Sequence, residues 1–414
     1  MYNFLKVDTE FKPMIHQMKH TPKRLRDIIQ EYIPLIACML IMFQAYIIAP
    51  LGPTLSKELN STLTDFGIPA FAIAFSIAAV GTAYIKLNLR VRGYLLIGFG
   101  AMALGNYLLS HVHSAGTFLL IRTLIGLGTG ALLPMVILNY ICHTQKPKSL
   151  ERIVPVIFAI AIGMTFSPSF GGWLNGIFGW RVLYQYLSIL CAVLFMICLL
   201  SKSQNFKSIY LPKDKSNNIK AEERTAGFIY SFTFLTGIFH SGVFVWISHY
   251  FTLQYGLNEF EIATELFIFG VPGFVLSFTM HYFQLDKKTI TILYAAMGVT
   301  ISGLILLWGN LPLGIAECLL AIISMGFGCS QPLFVGLIKI PQAGESLLTP
   351  AALGAGFLFG GYGSGPLVMS ALLAFDISSG LLFLILTVIA LAYISLRVWK
   401  KNSETDISVL LSGD

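Results

Sequence analysis

Residues 153–175 read IVPVIFAIAIGMTFSPSFGGWLN, and this stretch decides the class of fold. It contains no charged side chain, and its small and apolar residues continue without a polar interruption. A helix of about 20 such residues covers the roughly 30 Å of hydrocarbon in a bilayer. The stretch therefore predicts a helix that crosses a membrane.

Eleven further runs of the same kind lie on either side of it. The twelve predicted spans, numbered in chain order, cover 33–55, 67–86, 93–112, 116–142, 153–175, 182–201, 226–253, 262–284, 289–309, 311–338, 351–375 and 377–399. The whole chain of 414 residues is 56% hydrophobic and 11% charged, against roughly 25% charged in soluble domains. This composition excludes a soluble globular enzyme, a disordered chain and a nucleic-acid binder. We predict an all-α integral membrane protein that spans the bilayer several times.

Polar segments divide the chain into five parts. The longest polar interruption, 202–225, is rich in lysine and separates two six-span bundles at 33–201 and 226–399. A leader at 1–32 is expected to contain a short interfacial helix, and 400–414 is expected to be a polar tail. The leader lacks the basic segment and apolar core of a cleavable signal peptide, so span 1 is expected to act as an uncleaved signal.

The distribution of basic residues predicts the orientation. Among the 27 Lys and Arg residues, only Lys57 and Arg181 fall in loops on the side opposite the termini, and Arg122 falls inside a span. Basic loops are retained on the cytoplasmic side of a membrane. Both termini and the central loop are therefore predicted to be cytoplasmic, in a multi-pass protein of the bacterial inner membrane.

The two halves of the chain resemble each other. Span 4 contains GLG at 126–128, and span 10 contains GFG at 326–328. Span 5 reads GMTFSP at 163–168, and span 11 reads GYGSGP at 361–366. The members of each pair are about 200 residues apart in the sequence and lie in corresponding spans of the two halves. This repetition indicates a duplicated six-span unit. Transporters that rock two halves around a midplane site are built on this plan.

The fifth span also supports a resemblance to a known family. Its residues resemble the G-x3-G-P-x2-G-G signature of the drug:proton antiporters of the major facilitator superfamily, followed by GWR at 179–181. The matching positions are Gly163, Ser167, Pro168, Gly171 and Gly172, and their counterparts in span 11 are Gly361, Gly365 and Pro366. Ser167 replaces a glycine but remains small. The resemblance implies the major facilitator fold, two six-helix bundles with alternating access, and a conformational role for these residues.

The loop after span 2 resembles the G-x3-D-R-x-G-R-R motif of the same family in part. Gly81, Lys86 and Arg90 match, whereas Ile85 replaces the acidic residue and Asn88 replaces the second glycine. The resemblance implies a cytoplasmic gate formed by Gly81, Lys86, Asn88 and Arg90. Because the carboxylate is missing, we expect this gate to be held less tightly or through other residues.

Two charged side chains lie inside spans of the predicted central path. Arg122 opens an R-x3-G-x-G motif in span 4, and Glu317 is the one carboxylate well inside a span, in span 10. An arginine in hydrocarbon is costly, so it should face a wet cavity or a partner. The family resemblance makes spans 4 and 10 equivalent and path-lining, so Arg122 and Glu317 are predicted to face each other. Glu265, near the start of span 8, is expected to be interfacial.

Further polar and aromatic side chains are expected along the path. His240 lies near the middle of span 7, and imidazole titrates close to neutral pH. Gln44, Gln331, Trp246 and Tyr250 complete a lining suited to an amphipathic solute. Span 1 has no acidic residue, so Glu317 or His240 is the predicted proton carrier.

These features predict a transporter rather than an enzyme. We predict proton-coupled efflux of an amphipathic small molecule by a monomer that contacts substrate, protons and lipid but no nucleic acid. No motif for ATP, a dinucleotide or a metal is present, and neither a cofactor nor a catalytic residue is expected. One alternative is an importer or exporter of an anionic metabolite or metal-chelating organic acid, with Arg122 binding the carboxylate. Another is a non-transporting sensor or a lipid flippase on the same scaffold.

Overall fold

The fold is entirely helical in the part of the chain that the structure describes. The computed structural model describes residues 25–85, 91–143, 149–201, 219–280, 289–309, 311–337 and 348–412. Its α-helices are Leu25–Tyr46, Gly52–Glu58, Gly67–Tyr84, Val91–Ser110, Ala115–Gly130, Leu132–His143, Ser149–Phe178, Trp180–Leu200, Ile219–Tyr255, Glu259–Met280, Thr289–Leu306, Leu313–Leu337, Leu348–Leu373 and Ile377–Ser412. A short 3₁₀ turn at Ala49–Leu51 directly precedes the helix Gly52–Glu58, and another at Thr62–Phe66 directly precedes the helix Gly67–Tyr84.

Within the described residues, twelve helical spans are long and apolar enough to cross a membrane. Spans 1 and 4 are each built from two helices, and the other ten contain one long helix each. The all-α, twelve-span prediction is confirmed. With an even number of spans, both ends of the chain lie on one side, called the terminal side below, and the opposite side is called the far side.

Several helices extend beyond their apolar runs. The helix of span 1 begins at Leu25, so residues 25–32 of the predicted leader are continuous with the span. An interfacial helix in the leader stays a prediction. The helix of span 7 begins at Ile219, inside the predicted central loop, and that of span 12 continues to Ser412 through the predicted tail. None of these extensions contains a proline, and the first two contain good helix formers such as Glu, Lys and Ala, so the helical hydrogen bonding continues past the apolar run. The rest of the leader and of the central loop lies outside the described residues.

The same pairs of spans pack in both halves. Span 1 packs on span 5, 2 on 4 and 3 on 6, and correspondingly 7 packs on 11, 8 on 10 and 9 on 12. This repetition agrees with the duplicated six-span unit predicted from the sequence. Two seams join the halves: span 2 against span 11, and span 5 against span 8.

The seam between spans 2 and 11 is tightly packed. The Ser76 hydroxyl donates to the carbonyl oxygen of Gly356 at 2.7 Å, and the rings of Phe75 and Phe359 stack with centroids 3.7 Å apart. Small residues allow the two backbones to approach this closely. This seam keeps the halves together beside the path.

Span 1 is interrupted near the far side. Its first helix ends at Tyr46, and a 3₁₀ turn containing Pro50 leads into the helix that starts at Gly52. Proline has no N–H and its ring clashes with the preceding turn, so Pro50 and Pro53 interrupt the helical ladder. The last carbonyl groups of the first helix therefore need partners from elsewhere.

The turn between spans 5 and 6 fixes the far end of the first half. Gly179 has φ +81°, a conformation that favours glycine. The next residue, Trp180, donates from Nε1 to a Glu58 carboxylate oxygen at 3.0 Å, and the Arg181 guanidinium pairs with the same carboxylate. The GWR sequence thereby ties span 6 to the end of span 1.

Candidate functional site

A cavity of about 340 Å³ lies between the halves. Span 5 forms its wall on the first half, and spans 7, 8, 10 and 11 form its wall on the second half. Its lining residues lie in the middle and terminal-side portions of these spans. The cavity is therefore placed where a solute would bind between two moving halves.

The lining is aromatic and uncharged. Eight phenylalanines contribute to it: Phe158, Phe232, Phe244, Phe269, Phe274, Phe278, Phe327 and Phe334. Among the described lining residues there is no Asp, Glu, Lys or Arg. A ligand with an aromatic or aliphatic body gains from burial against these rings. An ionic ligand would find no opposite charge in this wall.

The cavity is also lined by eight polar side chains: Thr165, Thr233, Thr236, His240, Ser277, Ser324, Gln331 and Tyr362. Some of them are paired within the protein. Thr233 donates to the Ile229 carbonyl oxygen at 2.9 Å, and the Tyr362 hydroxyl contacts Met164 Sδ at 3.2 Å. In contrast, Thr236 Oγ1 and His240 Nδ1 are buried and have no hydrogen-bond partner within the described ranges. All of these residues except Ile229 line the cavity.

The far side of the seam between spans 5 and 8 is closed by hydrogen bonds. The Glu259 carboxylate at the start of span 8 accepts from the Thr54 backbone N–H and hydroxyl, each at 2.6 Å. It also accepts from Asn175 Nδ2 at 3.0 Å. One turn deeper, Trp173 Nε1 donates to Thr264 Oγ1 at 3.2 Å. These contacts join both halves and separate the cavity from the far side.

Two glycines of the predicted conformational motif bring span 5 against span 1. A Cβ atom added to Gly163 would overlap the carbonyl oxygen of Met39, and one added to Gly171 would overlap that of Ile47. Backbone cannot move aside as a flexible side chain can. Both positions therefore require glycine for this helix contact.

The other motif residues extend the contact. Ser167, where the family signature has glycine, donates from Oγ to the Phe43 carbonyl oxygen at 2.9 Å. A Cβ atom on Gly172 would meet the Ala263 side chain of the second half at 2.5 Å. Pro168 lies inside the span 5 helix. The motif thus joins span 5 to span 1 and to span 8 at once.

The counterpart in span 11 packs in the same way. A Cβ atom on Gly361 would overlap the carbonyl oxygen of Phe234, and one on Gly365 would meet that of Ile238 at 2.6 Å, both in span 7. Pro366 lies inside the helix, as Pro168 does in span 5. The two predicted motif segments therefore occupy equivalent positions in the two halves.

Arg122 does not lie in the cavity wall. Its side chain is 0% exposed, and its guanidinium donates to the carbonyl oxygens of Gly67 at 3.1 Å and Gln44 at 2.5 Å. A longer contact of 3.4 Å reaches the Ala45 carbonyl, and the Phe71 ring lies 4.9 Å away. Gln44 and Ala45 are among the last residues of the interrupted helix in span 1. The cation therefore caps the free carbonyls and the negative end of that helix.

This geometry predicts that Arg122 stabilises the fold. Arg122→Met keeps much of the side-chain volume but removes every donor, so it should lower the free energy of unfolding by about 3 kcal/mol or more, because hydrogen bonds to charged groups are worth about 1.5–3 kcal/mol each. Arg122→Lys should be intermediate, since an ammonium lacks the planar fork of donors. The melting temperature in detergent measures both effects.

A matched control is available at the membrane surface. Arg92 donates to the carbonyl oxygens of Cys198 and Leu199 at the end of span 6, but it is partly exposed. Arg92→Met should lower the melting temperature much less, because water can replace the lost donors. Loss of transport in Arg122→Lys with an unchanged melting temperature would instead assign Arg122 to the substrate or proton path.

Glu317 does not face Arg122. Its carboxyl group lies close enough to that of Glu265 for charge and hydrogen-bond interactions. Glu265 is only 3% exposed, and its Oε2 has no hydrogen-bond partner among the described residues. The Glu265 carboxyl group is therefore buried in the protein, between spans 8 and 10, and its interfacial depth in the bilayer stays a prediction. The two carboxyl groups form a pair within the second half, between the cavity and the far side.

Of the other residues predicted to line the path, two line the cavity and three lie outside its lining. His240 and Gln331 line the cavity. Gln44 is buried, with an unpartnered Oε1, outside the lining. Trp246 donates from Nε1 to the Ile377 carbonyl oxygen at 3.2 Å and stacks on Tyr250, so both are packing residues between spans 7 and 12. Their sequence positions place Trp246 and Tyr250 on a span that lines the cavity, but their side chains are not in its lining.

The predicted gate is only partly described. A Cβ atom on Gly81 would meet nothing within 4 Å, so no close packing requires glycine there. Lys86, Asn88 and Arg90 lie outside the described residues. Their role in a gate stays a prediction.

The phenylalanines that make up much of the cavity wall were not predicted from the sequence. The chain contains 32 phenylalanines and eight of them line the cavity, so composition does not identify the cavity set. A weak signal was present in span 8, where Phe274 and Phe278 are one turn apart and share a face. Which of these faces meets span 5 is a tertiary property.

Three solved structures have folds similar to that of this chain. The chain is similar to a bacterial homolog of the human lysosomal transporter Spinster in an inward-facing, unoccupied conformation, with 14% identity, a TM-score of 0.61 and coverage of 92% of this chain and 96% of that one. The occupied form gives a TM-score of 0.59 at 12% identity, covering 90% and 96%. The human organic anion transporter MFSD10 (TETRAN) gives 0.66 at 12% identity, covering 90% and 100%.

The sequence itself matches a family model. The model of the Major Facilitator Superfamily matches residues 35–339, which is most of the chain. This match and the similar structures confirm the major facilitator fold predicted from span 5, and they indicate a transporter rather than an enzyme. The chain belongs to the Major Facilitator Superfamily of secondary transporters.

Proposed function

We propose that the protein exports an uncharged, amphipathic aromatic small molecule in exchange for protons. The observation that carries the substrate class is the cavity wall, which presents eight phenylalanines and no charged side chain among its described residues. An ion that entered it would lose hydration without gaining a counter-charge. A neutral aromatic body would gain from burial and from ring contacts.

The contacts at the two seams between the halves support a mechanism of alternating access. The seam between spans 2 and 11 is packed through Ser76, while the far end of the seam between spans 5 and 8 is held by the Glu259 carboxylate. Release to the far side requires these hydrogen bonds to break as the halves rock. With the basic loops on the cytoplasmic side of an inner membrane, this conformation offers the cavity to the cytoplasm.

The Glu265–Glu317 pair is the proposed proton carrier. Glu265 is buried and Glu317 is partly exposed. Two neighbouring carboxyl groups repel each other when both are ionised, and a shared proton relieves that repulsion. The pair lies on spans 8 and 10, which also line the cavity. Movement of these spans during rocking would expose the pair to one side or the other.

The position of Arg122 argues against the alternative that the protein transports an anion. Its guanidinium is already bound to backbone carbonyls, so it is not free to hold a substrate carboxylate. MFSD10 is named as an organic anion transporter, but no cationic side chain is found among the described lining residues here. The lining therefore favours a neutral solute.

Three probes of matched size test the proposal: neutral 2-naphthamide, anionic 2-naphthoate and cationic 2-naphthylmethyl-trimethylammonium. Proteoliposomes with pyranine inside report proton movement when each probe is added, and protein-free liposomes report passive leak. We expect protein-dependent proton movement with the amide only. A response to naphthoate alone would support an organic-acid carrier. Binding without any flux would support a sensor, and transbilayer movement of a labelled phospholipid would support a flippase.

A further inference from the structure

Two polar side chains of span 7 interrupt the phenylalanine wall. Thr236 and His240 are four residues apart, so they lie one turn apart on the same helix face, and both line the cavity. Thr236 Oγ1 and His240 Nδ1 are buried and have no hydrogen-bond partner in the described part of the chain. The protein therefore leaves two adjacent polar groups unsatisfied at its substrate cavity.

The unpaired hydroxyl of Thr236 is unusual for this helix. Hydroxyl groups in a helix commonly donate to the carbonyl four residues earlier. Thr233, Ser241 and Ser248 in span 7 all do so, at 2.9, 2.8 and 2.9 Å. Thr236, which lines the cavity, has no such bond among the described residues. A buried unpaired polar group costs free energy, and a ligand that pairs with it recovers that cost.

The His240 ring is held in place by its neighbours. Its centroid lies 4.9 Å from that of Phe327, nearly perpendicular, and 6.2 Å from that of Phe244. Edge-to-face contacts of this kind fix the ring plane. The phenyl rings that hold the imidazole also line the cavity, so a flat ligand can contact phenyl faces and the imidazole nitrogen together.

We propose that Thr236 and His240 form the hydrogen-bonding anchor for an amide-like group on a planar, uncharged aromatic substrate. A threonine hydroxyl can donate to a ligand carbonyl, and a neutral imidazole nitrogen can accept from a ligand N–H. The phenylalanines bind the ring system of the ligand. Thr236 and His240 together select a ligand that carries a hydrogen-bond acceptor next to a donor. This inference rests on the proposed function, because it specifies the ligand of the same cavity.

Equilibrium binding to the purified full chain in nanodiscs tests the anchor. The probes are 2-naphthamide and N,N-dimethyl-2-naphthamide, which keeps the carbonyl but lacks the N–H. We expect wild-type protein to bind 2-naphthamide about tenfold more tightly than the dimethyl probe, the difference expected for one hydrogen bond. Thr236→Val and His240→Phe should each weaken binding of 2-naphthamide about tenfold, and His240→Phe should leave the dimethyl probe within twofold of wild type.

Thr233→Val is the matched control. It makes the same chemical change in the same cavity wall, but its hydroxyl already bonds Ile229, so binding should stay within twofold of wild type. Thr236→Val should not lower the melting temperature, because no protein hydrogen bond is lost, and this separates lost binding from misfolding. Equal binding of the two probes by wild-type protein, or equal weakening by Thr233→Val and Thr236→Val, would overturn the anchor. Because binding is measured without flux, absence of transport would count against the proposed function alone.

Discussion

Gly171→Leu is expected to reduce transport to background. A Cβ atom at this position overlaps the carbonyl oxygen of Ile47 in span 1, and neither helix backbone can yield locally. Gly171→Ala should already lower the free energy of unfolding by about 1–3 kcal/mol, the usual cost of overpacking. The larger leucine must separate span 5 from span 1, which displaces the cavity wall. Probe-driven proton movement in proteoliposomes and the melting temperature measure the two effects.

The control for this change is Gly298→Leu. Gly298 lies in span 9, is exposed, and has no atom within 4 Å of an added Cβ. The same substitution there should leave transport and melting temperature near wild type. Normal transport by Gly171→Leu at wild-type protein levels would show that the span 5 motif has no conformational role.

Glu317→Gln and Glu265→Gln are each expected to abolish proton-driven accumulation. A glutamine resembles the protonated acid and cannot release a proton, so exchange of substrate down its own gradient should survive. The carboxyl groups face each other, so either change removes the shared proton site. Accumulation under an imposed pH gradient and exchange without one are measured in parallel.

Two further variants separate this pair from other titratable groups. Glu261→Gln is the matched control, since Glu261 is exposed on the same span and its carboxylate accepts from the Asn258 backbone N–H. It should leave coupling unchanged. His240→Gln should weaken substrate binding but keep the stoichiometry of protons to substrate. If both pair variants accumulate substrate normally under a pH gradient, proton coupling does not pass through the pair.

Much of the fold was predictable because a bilayer imposes its constraints on sequence locally. A span must be apolar over its full length, so each of the twelve was visible as a run of residues. Helix ends were less predictable, because residues such as Ile219 and Ser412 lie in polar segments that remain helical. The glycines at 163 and 171 were also recognisable, since close packing of backbones tolerates few residue types.

The candidate site was predictable only in part. His240 and Gln331 were assigned to the cavity from their place on spans 7 and 10, and the structure places both in its wall. Arg122 and Glu317 were expected to face each other because the family resemblance makes spans 4 and 10 equivalent and path-lining. Instead, each found a partner within its own half: carbonyl oxygens for Arg122 and a second carboxyl group for Glu317. Sequence shows that a buried charge needs a partner, but not which group supplies it.

The sequence by itself determined that this chain crosses a membrane twelve times as two related halves, because apolar length and repeated small residues are local properties of the chain. Only the tertiary structure decided which face of each helix meets the cavity. Rotation of a helix about its axis depends on packing against all its neighbours at once. For that reason the phenylalanine wall, the unpaired Thr236 and the burial of Glu265 became visible only when the twelve spans were assembled.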